Sequence, residues 1–309
     1  MRYSRRRNRV ELDDDPDQNI LLIDQEEFYL EHLDAAGSQR GANSSVFRAV
    51  SSTGEDSYVV KFCRFSVDSR QPWQQLRLQR FAREIEALTA ARDSEFVDCI
   101  IPMVDEGTLT IRSEYGRDRV IYYVMEEADS DLNAYLEQNE LTFPQQLFLC
   151  SELLRILKGL HALGIYHRDM KASNILMRED RPRLGDLGLI NYRAQDQDLD
   201  AFAERIGPVG LMSPEAINKY LGLHSKASFN FDCWIDEKSD IFQLGQVFWF
   251  VLQSEIPTGH LSDADVKFPH AGVLGTVIQP MLQYGKGRRA DLEMVELALQ
   301  PVLREAALA

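Results

Sequence analysis

Asp169, Lys171 and Asn174 fall within six residues of one another, and Asp186 follows twelve residues after Asn174. They occur in the stretches His167-Arg168-Asp169-Met170-Lys171-Ala172-Ser173-Asn174 and Leu184-Gly185-Asp186-Leu187-Gly188. A carboxylate can accept a proton, and carboxylate and carboxamide oxygens are hard donors that suit a divalent cation. Singly, an Asp or Asn in a loop is a turn residue. The joint spacing of all four leaves little room for that reading.

The two stretches resemble the catalytic loop and the metal-binding segment of the protein kinase family, with Leu187 where phenylalanine is usual. The resemblance implies transfer of the γ-phosphate of ATP, a reaction that needs positioning and charge neutralisation more than covalent help. In it Asp169 orients the acceptor hydroxyl and takes its proton. Lys171 offsets charge on the transferring group, and Asn174 and Asp186 hold Mg2+. A lysine at position 171 marks Ser/Thr kinases, so the implied partner is a protein substrate bearing Ser or Thr. Two other readings stand beside this one. An ATP-binding scaffold of the same fold, a pseudokinase, usually lacks the lysine or one of the two aspartates, all of which are present here. A kinase of small molecules generally shows His-Gly-Asp and lacks a segment like Met212-Ser213-Pro214-Glu215.

The same resemblance requires a lysine for the phosphates and a glutamate to hold it. Val59-Val60-Lys61 ends a strand-like run, and Arg80-Phe81-Ala82-Arg83-Glu84-Ile85 resembles the following helix, so Lys61 and Glu84 are the implied pair, with Glu86 as competitor. Val46 then aligns with the valine of the glycine-rich loop, which reads Gln39-Arg40-Gly41-Ala42-Asn43-Ser44-Ser45-Val46. Glycines in such a loop let backbone amides approach phosphate. Only Gly41 survives, with Gln39 and Ser44 in the other two places. Met125 aligns with the residue gating the back of the adenine pocket, Glu126 to Ala128 with the adenine-binding hinge, and Asp131 with a ribose contact.

Elements that could position these residues are legible in the pattern. Tyr29 to Phe62 favours strands, punctuated by Gly37, Gly41 and Gly54. Leu78, Phe81, Ile85 and Leu88 predict a helix over 76–91, and Val120 to Val124 a strand. Beyond Glu126 two apolar stripes predict long helices, one over 143–163 and one through Ile241, Leu244, Val247, Phe248 and Val251. The expected fold is α+β and bilobal: a small antiparallel sheet lobe with one main helix at 29–126, then a larger, mostly helical lobe at 127–309. A ligand is expected in the cleft between lobes.

Residues 1–28 carry Arg2, Arg5, Arg6, Arg7 and Arg9 and then Glu11, Asp13, Asp14, Asp15 and Asp17, which predicts a charged, solvated and poorly ordered arm. The formal net charge of −15 argues against a nucleic-acid surface. No run of eighteen apolar residues and no signal-like stretch occurs, which predicts a cytoplasmic protein without a membrane partner. Cys63, Cys99, Cys150 and Cys233 lack metal-ligand spacing and read as free thiols.

In the family the segment from Asp186 to Glu215 controls activity, and an arginine before the catalytic aspartate, here Arg168, reads a phosphate on it. Yet no serine or threonine lies between Leu189 and Met212. Asp196, Asp198, Asp200 and Glu204 do, and one of these carboxylates is expected to meet Arg168. The resemblance also implies a Glu215–Arg289 pair and an Asp240 that anchors the catalytic loop. Pro208 stands where a threonine usually bonds the catalytic residues. Residues 218–234 form an insertion that offers a substrate or partner surface.

Overall fold

The computed structural model describes residues 1–33, 44–194, 199–200, 204–224, 231–270 and 272–308. The chain divides into two compact units, residues 1–94 with 101–127, and residues 95–100 with 128–309.

The first unit is a sheet with one long helix. Its strands are β1 (Arg2–Ser4), β2 (Arg9–Glu11), β3 (Ile20–Ile23), β4 (Glu26–His32), β5 (Ser44–Ser51), β6 (Ser57–Cys63), β7 (Met103–Ser113) and β8 (Gly116–Glu126). They form one eight-stranded sheet in the order β2-β1-β7-β8-β6-β5-β4-β3. All neighbours are antiparallel except β1 on β7. Strand side chains alternate between faces. One face therefore gathers Phe47, Ala49, Val60, Phe62, Tyr122 and Val124 into a core that also takes Tyr3, Val10, Leu21 and Ile23 from β1, β2 and β3. The other face carries Val46, Lys61 and Tyr123 directly opposite one another across three strands. Helix α1 (Pro72–Arg92) starts at a proline, which costs nothing in a first turn. It buries Leu78, Phe81, Ile85 and Leu88, the predicted stripe.

The N-terminal segment is corrected here. Residues 1–28 are not a solvated arm. β1 and β2 pair as a hairpin, and β3 pairs with β4. Charges expected to be solvated meet partners instead: Arg7 and Arg9 reach Glu11 at 2.9 and 3.0 Å, and Arg5 reaches the buried Asp118 at 2.7 Å. The Tyr3 hydroxyl donates to the Arg64 carbonyl at 2.8 Å and accepts from the Ser66 amide at 3.2 Å. Alternating apolar residues supply the driving force, with Leu21 and Ile23 buried and Leu22 between them exposed.

The second unit is mostly helical. Its elements in chain order are β9 (Ser130–Asp131), α2 (Leu132–Gln138), α3 (Phe143–Ala162), β10 (Ile165–Tyr166), β11 (Ile175–Arg178), β12 (Arg181–Leu184), β13 (Asn191–Tyr192), α4 (Pro214–His224), α5 (Glu237–Gln253), α6 (Gln279–Met281) and α7 (Leu292–Leu308). Thr142 and Gln145 form a capping box that starts α3. Asp236 caps α5 by accepting from the Lys238 amide at 3.0 Å, and Ser254 ends that helix in a left-handed conformation. Both predicted apolar stripes are buried. Among the described residues no helix is long and apolar enough to cross a membrane. The cysteines are free thiols, with Cys63, Cys99 and Cys150 buried, and burial pushes the Cys63 thiol up to about 12.

Candidate active site

The twelve-residue spacing from Asn174 to Asp186 has a structural cause. Strands β11 and β12 take four residues each and pair antiparallel, with Ile175 opposite Leu184. Glu179 and Asp180 close the hairpin as a two-residue turn, both at positive φ. The hairpin returns the chain to its start, where the Gly185 amide donates to the Asn174 carbonyl at 2.8 Å. Asp186 follows at once, exposed and at φ 51°, a left-handed conformation that is uncommon outside glycine.

The stretch from His167 to Asn174 is held from α5. Asp240 is fully buried; its Oδ1 accepts from the Arg168 amide at 2.7 Å and its Oδ2 from the His167 amide at 2.8 Å. His161 on α3 donates through Nε2 to the same Oδ2 at 2.9 Å. Three residues along α5, Gln243 accepts from the Met170 amide at 2.9 Å and donates to the Arg168 carbonyl at 3.3 Å. His167 is oriented by its neighbours. Its Nδ1 accepts from the Asp169 amide at 3.2 Å, so the proton sits on Nε2, which donates to the Gly185 carbonyl at 3.2 Å.

This frame fixes Asp169. Its Oδ2 accepts from the Asn174 carboxamide nitrogen at 2.8 Å and lies 3.1 Å from the Lys171 ammonium. The same nitrogen donates to the Asp169 carbonyl at 2.9 Å. The Asn174 carboxamide oxygen is left without a protein donor among the described residues. Burial raises the Asp169 carboxyl above the ordinary carboxylate range, Lys171 works against that, and Asp186 adds to it. Asn174 Oδ1 and the exposed Asp186 carboxylate are therefore two hard oxygens beside a buried carboxylate. Magnesium bound with phosphates asks for such a pair, because phosphate and water complete its shell. Among the described residues no group of three or more His, Cys, Asp or Glu forms a self-sufficient metal cage.

In the first unit Lys61 and Glu84 are buried and paired, Nζ to Oε1 at 2.7 Å. The competitor Glu86 is exposed. The Tyr123 hydroxyl donates to the same Glu84 oxygen at 2.9 Å, and its ring lies 5.8 Å from the Lys61 nitrogen. Val46 stands opposite Lys61 on β5, and Ser44 is buried opposite Cys63. Gln39 and Gly41 lie outside the described residues. Met125 is half-buried on the Lys61 face, opposite Val59, and the Glu126 amide donates to the Pro102 carbonyl at 3.0 Å. In the second unit Ala128 is half-buried, and Asp131 caps α2, accepting from the Ala134 amide at 3.0 Å.

The far end of the activation segment is anchored too. Glu215 and Arg289 form a buried bidentate pair at 2.8 and 3.2 Å, and Ser239 donates to Glu215 at 3.0 Å. Of the four acidic residues, one of which was expected to meet Arg168, Asp196 and Asp198 lie outside the described residues, and among the described ones Asp200 is on its guanidinium. Of the insertion at 218–234, residues 225–230 lie outside the described residues, while Phe231 and Trp234 are exposed. Tyr123, His161 and Gln243 had no sequence-based assignment. Gln243 had a signal, since it is polar and three residues from Asp240 in an otherwise apolar helix.

A sheet unit with a buried Lys–Glu pair and a helical unit with this loop and hairpin define the two-lobed α+β protein kinase fold. The protein kinase domain family matches residues 37–272, and the chain belongs to that family. It is similar to a protein of Encephalitozoon cuniculi named as a probable serine/threonine-protein kinase, 24% identical over 251 residues, covering 81% of this chain and 40% of the relative. It is also similar to the serine/threonine-protein kinase MPS1 of Saccharomyces cerevisiae, 26% identical over 267 residues, covering 82% of this chain and 32% of that one. The dual specificity protein kinase TTK of Mus musculus is 26% identical over 145 residues, 47% of this chain and 17% of the relative. The chain thus spans less than half the length of each of these relatives.

Proposed function

We propose that this protein kinase transfers the γ-phosphate of ATP to Ser or Thr hydroxyls of protein substrates, with Asp169 as catalytic base. The observation that carries the proposal is the buried Asp169 carboxylate, bonded by Asn174 at 2.8 Å, with the Lys171 ammonium at 3.1 Å. The acceptor oxygen attacks the γ-phosphorus, its proton passes to an Asp169 oxygen, and the bond to the β-phosphate oxygen breaks to release ADP. Lys171 offsets the charge on the transferring group, and Lys61, steadied by Glu84, grips the nucleotide phosphates. Asn174 and Asp186 are the residues that would hold Mg2+, which supplies neutralisation of phosphate charge when bound. Ser44, Val46, Met125, Glu126, Ala128 and Asp131 are assigned to the nucleotide with Gln39 and Gly41. The Ser/Thr preference rests on Lys171 and on the names of the relatives, one of which carries dual specificity.

The test is incubation of purified protein with labelled ATP, Mg2+ and a generic protein acceptor, beside Asp169→Asn and Lys61→Ala, followed by phosphoamino-acid analysis. Label on Ser or Thr with the wild type alone is the expected result. Transfer that survives in Asp169→Asn sinks the mechanism, and label on tyrosine alone overturns the Ser/Thr assignment.

A further inference from the structure

Arg168, next to the proposed base, sends its side chain out of the loop to another segment. It is buried, its backbone is at φ 68°, and its amide and carbonyl are fastened to Asp240 and Gln243. A guanidinium removed from water has to meet an anion, and where that anion sits decides how the loop is held. Among the described residues it is Asp200, half-buried with its side chain 5% exposed, which bonds the Arg168 guanidinium and also takes the Lys219 ammonium from α4. The carboxylate therefore ties three parts of the second unit together: the catalytic loop, the chain ahead of Gly207 and helix α4.

We infer that Asp200 is a positioning residue for the reaction. It supplies from within the chain the anion that Arg168 requires, so that Asp169 is held in working geometry without any phosphate being added. The inference rests on the kinase reading above. The composition of the segment supports it independently. From 190 to 211 there is no serine or threonine, and the single hydroxyl, Tyr192, lies in strand β13, paired with Ile165. A segment that lacks an acceptor for a regulatory phosphate, yet already seats a carboxylate on the buried arginine, carries its charge in the sequence. Gly207 fits the same packing. It takes φ 106°, and a Cβ there would stand 3.2 Å from the Gln243 side-chain nitrogen and 3.4 Å from the Arg168 carbonyl. Gly207 thus packs directly against the residues that hold the loop.

The test uses the full chain, produced alongside a phosphatase and shown to be unphosphorylated by intact mass. The wild type is expected to keep its kcat within about twofold of an untreated preparation. Asp200→Asn is expected to lose at least about tenfold in kcat with KM for ATP changed by less than about threefold, because the loop moves and the Lys61 grip does not. Asp200→Glu, which keeps the charge, is expected to recover most of the loss. Arg168→Gln should lose as much as Asp200→Asn, and the double variant no more than either. A residue with a merely structural role would give additive losses. Undiminished kcat in Asp200→Asn, additive losses, or a wild type that dies on phosphatase treatment overturns the inference. If no preparation transfers phosphate although ATP binds, the kinase reading has failed instead. Hydrogen exchange at the amides of 167–171 then still decides this one. Faster exchange in Asp200→Asn, with protection restored in Asp200→Glu, supports it, and unchanged exchange overturns it. Should Asp200→Asn fail to fold, the phosphatase comparison and Asp200→Glu carry the decision.

Discussion

Replacing Asp240 by asparagine changes one atom of a fully buried side chain and leaves its shape intact. The carboxylate accepts three hydrogen bonds, two at Oδ2 from the His167 amide and His161 and one at Oδ1 from the Arg168 amide. An asparagine can keep its oxygen on the side with two donors. Its NH2 group then faces the Arg168 amide, donor against donor. One charge-assisted bond worth about 1.5–3 kcal/mol is lost, and a buried N–H is left unsatisfied at a cost of about 1–3 kcal/mol. The two overlap, so the expected loss is about 3 kcal/mol, or roughly 6–12 °C in melting temperature for a unit of this size. Because Arg168 precedes the proposed base, kcat is expected to fall by about a hundredfold as the loop leaves its register. Scanning calorimetry and steady-state kinetics on the same preparation read both effects. A melting temperature within about 1 °C of the wild type, together with an undiminished kcat, would refute the view that Asp240 builds the loop.

Four further outcomes follow from the geometry. Asp169 must be ionised to act as base, and its raised pKa means that kcat falls on acidification sooner than for an ordinary carboxylate; Lys171→Met removes the opposing charge, so the acid limb of the pH–kcat profile should move to higher pH. The stability linked to the protonated form of Asp169 is fully present below the ordinary carboxylate pKa and is lost as pH rises through the raised one. Glu84→Gln removes the charge that Lys61 meets at 2.7 Å inside the first unit, with an expected loss of about 3 kcal/mol by urea unfolding and weaker ATP binding by calorimetry. Deleting residues 1–12 strips Tyr3 and Val10 from the sheet core, with an expected loss of about 4 kcal/mol from the two side chains; an unchanged unfolding midpoint would show that the hairpin adds nothing. Gly207→Ala forces a Cβ into a left-handed position beside the Arg168 carbonyl, and a denaturant midpoint should show a loss of about 1 kcal/mol or more.

What could be read from the sequence was whatever has a fixed local spacing. The interval from Asn174 to Asp186 is the length of one tight hairpin, and the stripes of α3 and α5 follow from 3.6-residue periodicity. Lys61, inside β6, and Glu84, on α1, were legible only through the family resemblance of Val59-Val60-Lys61 and Arg80-Phe81-Ala82-Arg83-Glu84-Ile85. What escaped depends on which distant residues meet. The N-terminal arginines read as part of a solvated arm until the hairpin set them against Glu11 and Asp118. The Tyr123 hydroxyl reaches Glu84 only through the register of β6 and β8. That Asp200 meets Arg168 needed the fold.

The seam between β1 and β7 also governs the order in which the first unit can be completed. Arg2 and Tyr3 sit beside Arg112 and Ser113, so this pairing closes a loop of more than a hundred residues, whereas the pairing of β1 with β2 is local. Pairings that span so much chain form late, since the loop-closure entropy has to be met first. The pairings among β4, β5 and β6, by contrast, join strands that are neighbours in the chain. The β1–β7 seam is therefore expected to close late, which leaves that edge of β7 open to aggregation until it does.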